Sequence, residues 1–374
     1  MAKPKDLHAL IALTQSTQAL LTHYRSSLAP PNDPSASEIS TNELSNPLDV
    51  IKATTTLLKS HATTLSLLLL TPPLTPSVII AKLGDVSSGP LSGMVTAAAY
   101  TPQEGQKGDV GNIVRVEVRA QVQRLLGTWG YVLGMVLKMA ERRQDGDGKA
   151  KGEGPTESER QEVLSAIGVV WEACDALLKL CADGVVGLVV KKAQELRAVL
   201  LDAIEELKEW GEDIDEDDED EAKGSDKEDD GFGDEDDIFS ASNKLGKDDK
   251  ELKQLLDTSI KRLKMVGMLY QALIKRRLKT YPASSISEPT TATTNGTTLS
   301  PSKTLDELMG LLKTIPETVD DLASAFYDLD EDEAKQILEK CCNEAKHAIE
   351  LVRHSWTGSE DEFTIWSKKW VSSL

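Results

Sequence analysis

Metal binding and nucleophilic catalysis need histidines, cysteines or carboxylates at particular spacings, and this 374-residue sequence offers few candidates. The five histidines are His8, His23, His61, His347 and His354, and none falls in an HExxH, HxE or comparable arrangement. His61 shares an apolar helical face with Leu58 and Leu65, which reads as a histidine at the rim of a core. Cys174 and Cys181 stand seven apart on one helical face, and Cys341 and Cys342 are adjacent. No CxxC pair accompanies them, so the expectation is buried thiols in a reducing compartment rather than zinc. Asp328, Asp330, Asp332 and Glu339 have the spacing of positions 1, 3, 5 and 12 of a calcium-binding EF-hand loop. Its sixth position is Glu333, where that loop needs glycine for a sharp turn, and Ala334, Ile337 and Cys341 demand helix across it. Asp330 followed three residues later by Glu333 reads instead as a helix start. Gly231-Phe232-Gly233 sits among carboxylates that would repel phosphate rather than cradle it. The sequence therefore predicts no enzyme, no cofactor and no metal.

What remains is the chemistry of protein recognition. From Lys244 to Lys279 there are 11 Lys and Arg against four carboxylates, a local charge of +7. Leu252, Leu256, Leu263, Val266, Tyr270 and Leu273 form a core stripe through the same stretch, so its plainest reading is a bundle helix with a basic outer face. Two sharper readings compete. Lys261-Arg262 followed by Lys275-Arg276-Arg277 has the spacing of a bipartite nuclear-import signal, and Lys275-Arg276-Arg277-Leu278 resembles the short RxL motif that docks on cyclins. Import and docking grooves read extended peptide, so both require the helix end to fray toward Pro282. Phe232 and Phe239 flank acid-rich sequence and suggest an acidic–aromatic docking peptide that folds on binding. In the alternative, Ile238 and Phe239 merely staple the next helix. Ser225 and Ser359, each followed by acidic residues, have the pattern of acid-directed kinase sites.

The elements that must carry these residues are helices. Apolar positions recur at three- and four-residue steps in Val118, Val122, Leu125, Trp129, Val132, Val136 and Met139, and again in Val163, Ile167, Val170, Cys174, Leu177 and Cys181. A third stripe runs from Val189 through Leu200 to Trp210, and a fourth from Ala334 through Cys341 to Val352. Trp171, spaced with Leu164 and Leu178, is expected in the core. Weaker helices are expected at 6–28, 47–70, 77–100 (broken by Gly and Pro) and 304–327 (interrupted at Pro316), with a short aromatic-faced helix carrying Phe363, Trp366 and Trp370 at the end. Aromatics make up only 4% of the chain and no strand pattern persists, which argues against a β-sandwich. No apolar run approaches the roughly 18 residues of a membrane span, and no secretory leader is evident.

Charge sets the domain boundary. The net charge is −20, and 17 carboxylates against Lys223 and Lys227 between Glu212 and Asp237 carry −15 of it, so the remainder carries only −5. Such an imbalance disfavours direct nucleic-acid binding by the whole surface. The reading is all-α: two long-helix bundles at 1–211 and 239–374, joined by an acidic disordered linker at 212–238, with a second disordered loop at 282–302. The acidic stretch is further expected to fold back on the basic helix.

The run Val170-Trp171-Glu172-Ala173-Cys174-Asp175-Ala176-Leu177, the helix ending Asp202-Ala203-Ile204-Glu205-Glu206-Leu207, and the acidic segment after it resemble the cyclin-D-binding protein family, also called Grap- and cyclin-D-interacting proteins. Val319-Asp320-Asp321-Leu322-Ala323 and the Ala-rich helix that follows are similar to that family's closing region. The resemblance implies a fold similar to the talin and vinculin class of helical bundles. It also implies a non-enzymatic regulator in cell-cycle or transcription control, with cyclins or helix-loop-helix proteins as partners and a place in both cytoplasm and nucleus. A cytoskeletal or trafficking adaptor is the alternative.

Overall fold

The computed structural model describes residues 4–29, 46–101, 111–145, 154–212, 245, 249–282, 292–294 and 297–374. Ser225, Phe232, Phe239 and the acidic stretch beyond Glu212 lie outside these residues, and so does most of the expected loop at 282–302. The helices are α1 (Pro4–Ser27), α2 (Pro47–Leu70), α3 (Pro76–Val86), α4 (Ser92–Ala99), α5 (Gly111–Asp145), α6 (Glu157–Glu212), α7 (Lys250–Leu273), α8 (Pro301–Tyr327), α9 (Glu331–Leu351) and α10 (Glu362–Ser373). One antiparallel hairpin, β1 (Ala292–Thr294) with β2 (Thr297–Leu299), is the strand structure among the described residues. The all-α reading stands.

Local sequence explains most helix ends. Pro47, Pro76 and Pro301 occupy first turns, where a missing N–H costs nothing. Ser300 accepts from the Lys303 N–H at the start of α8, Asp330 accepts from the Glu333 N–H at the start of α9, and Asp361 forms a capping box with Thr364 at the start of α10. The aspartates with EF-hand spacing therefore lie at a helix start, and α9 runs through the glutamate of the would-be loop. Pro316 does not interrupt α8 as expected. It is buried within a helix continuous from Pro301 to Tyr327, where Leu312, Ile315, Val319 and Leu322 are buried around it. The Gly- and Pro-broken pair is α3 and α4, bridged by a π-helical turn over Ser87–Leu91 that contains Pro90.

The chain divides into two compact units, Met1–Val185 and Val186–Leu374. This differs from a first bundle ending at 211, because the stripe from Val189 to Trp210 buries itself in the second unit. Leu201 lies beside Gly267, Arg197 donates from Nε to the Gly267 carbonyl at 3.1 Å, and the Trp210 ring meets Tyr327 edge-on at 5.4 Å. The physical cause is Gly184, whose φ of 60° and ψ of −159° break α6 one residue before the division. That conformation is essentially open to glycine alone. No atom of the described residues would meet a Cβ there, so the penalty of a side chain among them is conformational. Gly184→Ala should lower stability by roughly 1–3 kcal/mol, read as an earlier urea midpoint. A later midpoint would mean that the roughly 1 kcal/mol helix preference of alanine prevails and the break is not obligatory.

In the first unit α1 packs on α5 and α3, α2 on α4 and α3, and α4 on α5. The first half of α6 is tied to α2 by Lys59–Asp175 and to α5 by Arg124–Glu172, Lys138–Glu162 and Arg142–Glu159. Its core contains Ile51, Leu58, Val122, Trp129, Ile167 and Val170. Trp171 is not part of it. The buried face of α6 is the stripe through Val163, Ile167, Val170, Cys174 and Leu177, and Trp171 stands about 100° around from Val170, 38% exposed, with Leu164 at 58%. In the second unit α8 packs on α9, and α7 on both. Tyr270 of α7 is fully buried and donates to the Leu312 carbonyl of α8 at 2.6 Å.

Candidate functional site

The basic stretch of α7 is where the sequence placed most of its binding residues. Helical geometry decides which of them face solvent. The core stripe through Leu263, Val266, Tyr270 and Leu273 advances by three or four residues, and its next position is 277. A π-helical turn, Ile274–Leu278, ends this helix, and within it Arg277 is 1% exposed and Leu278 fully buried. Lys275 and Arg276 are exposed.

Arg277 uses every donor of its guanidinium. Nε donates to the Val352 carbonyl at 2.6 Å, Nη1 to the Arg276 carbonyl at 2.9 Å and to Asp361 Oδ2 at 2.7 Å, and Nη2 to the Arg353 carbonyl at 3.0 Å and to Asp361 Oδ1 at 2.9 Å. Its Cζ lies 4.4 Å from the centre of the Phe363 ring, an additional cation–π contact. The Trp356 indole donates to the Arg277 carbonyl at 2.8 Å. Thr364, whose N–H donates to Asp361, also donates from its hydroxyl to the Arg353 carbonyl at 2.7 Å. These bonds clamp the turn between α9 and α10 onto the end of α7. The paired guanidinium holds the Asp361 carboxyl down to about 2 from an ordinary value of 3.8, despite partial burial.

The clamp corrects the reading of 275–278 as an accessible peptide. An RxL groove or an import receptor needs the arginine and leucine side chains free on extended chain, whereas here Arg277 and Leu278 are interior and the backbone is helical. Ser359 is exposed on the same turn, and its hydroxyl lies 2.8 Å from that of Ser355. The acidic residues that would direct a kinase to it are engaged: Glu360 with Lys368, Asp361 with Arg277 and Glu362 with Arg276. The sequence did contain the trace of this site, an arginine where the apolar stripe calls for its next core residue. Nothing in the spacing announced Asp361, Phe363 and Trp356 as its partners.

Reactive groups elsewhere are quiet. Burial pushes the thiols of Cys174 and Cys341 up to about 12 and that of Cys181 to about 11, so none is a ready thiolate at neutral pH. His61 is lowered by burial and by Lys82. Among the described residues no group of three or more His, Cys, Asp or Glu could hold a metal ion, and no helix is long and apolar enough to cross a membrane. In the first unit the exposed apolar residues include Trp171 and Leu164, one heptad apart on α6.

Comparison with known proteins bears on that same region. An uncharacterized protein of Schizosaccharomyces pombe is 23% identical over 339 residues, covering 90% of this chain and 86% of its own length. The family model described as Grap2 and cyclin-D-interacting, N-terminal, matches residues 50–213, from α2 to the end of α6, and includes both the Val170–Leu177 run and the Asp202–Leu207 helix end. Residues 50–213 are therefore similar to the N-terminal domain of the Grap2 and cyclin-D-interacting proteins, the family that the sequence resembles.

Proposed function

We propose that this protein is a non-enzymatic regulator that works by binding other proteins, in cell-cycle or transcription control, with a cyclin or a helix-loop-helix protein as its partner in cytoplasm and nucleus. The carrying observation is the match of residues 50–213 to a domain named for its interaction with cyclin D. The exposed Trp171 within that domain supports the reading, since tryptophan left on a surface is enriched where partners dock. The thiols held well above neutral pH are consistent with a binding role rather than covalent chemistry.

The test is calorimetric titration of the purified full chain with a purified D-type cyclin and, separately, with a purified helix-loop-helix domain. Saturable binding of either is expected, with Trp171→Ala weakening it by on the order of tenfold or more, as an interface tryptophan does. Absence of heat with both partners, at concentrations of each near 100 times a micromolar dissociation constant, would overturn the reading.

A further inference from the structure

The outward face of α7 lies outside the matched domain and has no role yet. Lys261, Lys264, Met268, Lys275 and Lys279 recur at three-, four- and seven-residue steps, so they share one side of the helix and its terminal turn, opposite the buried stripe through Val266, Tyr270 and Leu273. All five are exposed, Met268 at 52%. Among the described residues none of the four lysine side chains makes a hydrogen bond or ion pair, although the Lys279 backbone N–H donates to the Ile274 carbonyl. The nearest opposing charges are weak competitors. Asp257 precedes the ridge on the same face, and Glu205 of α6, which Lys264 senses, is itself bonded to Lys208 at 2.8 Å. The arginines nearest the ridge are engaged, Arg262 by Cys342, Arg276 by Glu362 and Arg277 by Asp361. α10 flanks α7, with Trp370 donating to the Met265 carbonyl, and presents exposed Ile365 and Lys369.

We infer that this ridge docks a short acidic protein segment carrying an apolar residue, its carboxylates meeting Lys264, Lys275 and Lys279 and its apolar side chain covering Met268. Charge complementarity decides the sign of the partner, and the surface decides its class. A phosphate backbone is gripped best by free arginines in bidentate pairs, and here all three nearby arginines are engaged. A long polyanion would also have to run past the N-terminal end of α7, which the sequence joins to a stretch carrying −15. A short segment on Lys264–Lys279 spans only about 22 Å, at 1.5 Å per residue, and stays clear of that repulsion. An exposed methionine between lysines adds an adaptable apolar contact that phosphates do not use.

The experiment is fluorescence anisotropy of the full-length chain with a labelled synthetic peptide rich in Glu and Asp and carrying one Phe. Binding is expected to weaken as salt rises and to fall on the order of ten- to a hundredfold in Lys264→Glu/Lys275→Glu, because like charges replace attraction at exposed sites. Met268→Ser should weaken it severalfold without changing the salt slope. Since all three side chains are exposed, the melting curves of these variants should superimpose on that of the parent. Unchanged peptide affinity in the double variant would overturn the inference. So would equal or tighter binding of a single-stranded oligonucleotide or of phosphatidylserine vesicles through the same lysines. Binding that appears only after residues 213–237 are removed would assign the ridge to the chain's own acidic stretch and also overturn it.

Discussion

Arg277→Ala is expected to cost the second unit roughly 3–5 kcal/mol, because it removes an interior side chain with all its hydrogen bonds and leaves both the carbonyls it served and the partly exposed Asp361 carboxylate without their donor. Two facts set that size: the guanidinium is almost wholly interior, and all five of its donors are used, two of them on Asp361. Arg277→Lys should recover little, since an ammonium cannot supply a planar fork to one carboxylate and three carbonyls at once. Arg277→Leu combined with Asp361→Asn should lose less than Arg277→Ala, because the interior volume is refilled and no carboxylate is then left without its cation. The pH dependence has a definite sign. Asp361 titrates near 2 in the folded chain against an ordinary 3.8, so its contribution is fully present above about pH 4–5 and fades as pH falls toward 2. Urea unfolding at pH 7 and pH 3 measures both effects. A loss under about 1 kcal/mol for Arg277→Ala at pH 7 would show that the clamp is dispensable and would reopen a docking role for this arginine.

The sequence is most legible where one face of a helix is buried along its whole length. The stripes through Val122 and Trp129, through Val163 and Val170, and through Leu263 and Tyr270 are all interior, since burial selects apolar side chains at every turn and so writes its period into the chain. Helix starts were legible for a related reason, because a cap is local chemistry between Asp330 and Glu333 and needs no distant partner. Breaks were less legible. Gly184 is one glycine among 25, and only its φ of 60° distinguishes it from Gly130 or Gly134, which sit inside a regular α5. The basic run misled for the opposite reason. Charge is normally a sign of solvent, and Lys275 and Arg276 obey it, yet Arg277 falls on the core stripe and finds its counter-charge 84 residues away at Asp361. Pairings of that sequence separation leave no periodic trace.

The same argument separates two tryptophans. Trp129→Ala is expected to cost the first unit about 3–5 kcal/mol, and Trp171→Ala no more than about 1 kcal/mol, although both lie in strongly periodic helices. Trp129 sits on the stripe with Val122, Leu125, Val132 and Val136, is wholly buried, and its indole N–H has no hydrogen-bond partner among the described residues, so its contribution is packing and removal of apolar surface from water. Truncation leaves a void that the rigid neighbours on α5 cannot fill. Trp171 stands one residue past the buried Val170, and over a third of its surface is in water in the folded chain, so little is lost when it is cut back. Thermal melts of the two variants, compared at matched protein concentration, decide the matter. If Trp171→Ala destabilised the chain as much as Trp129→Ala, its ring would be a packing residue after all, and the case for Trp171 as a partner contact would fall with it. If instead it melted with the parent but bound partner more weakly, stability and recognition would be assigned to different tryptophans of the same bundle.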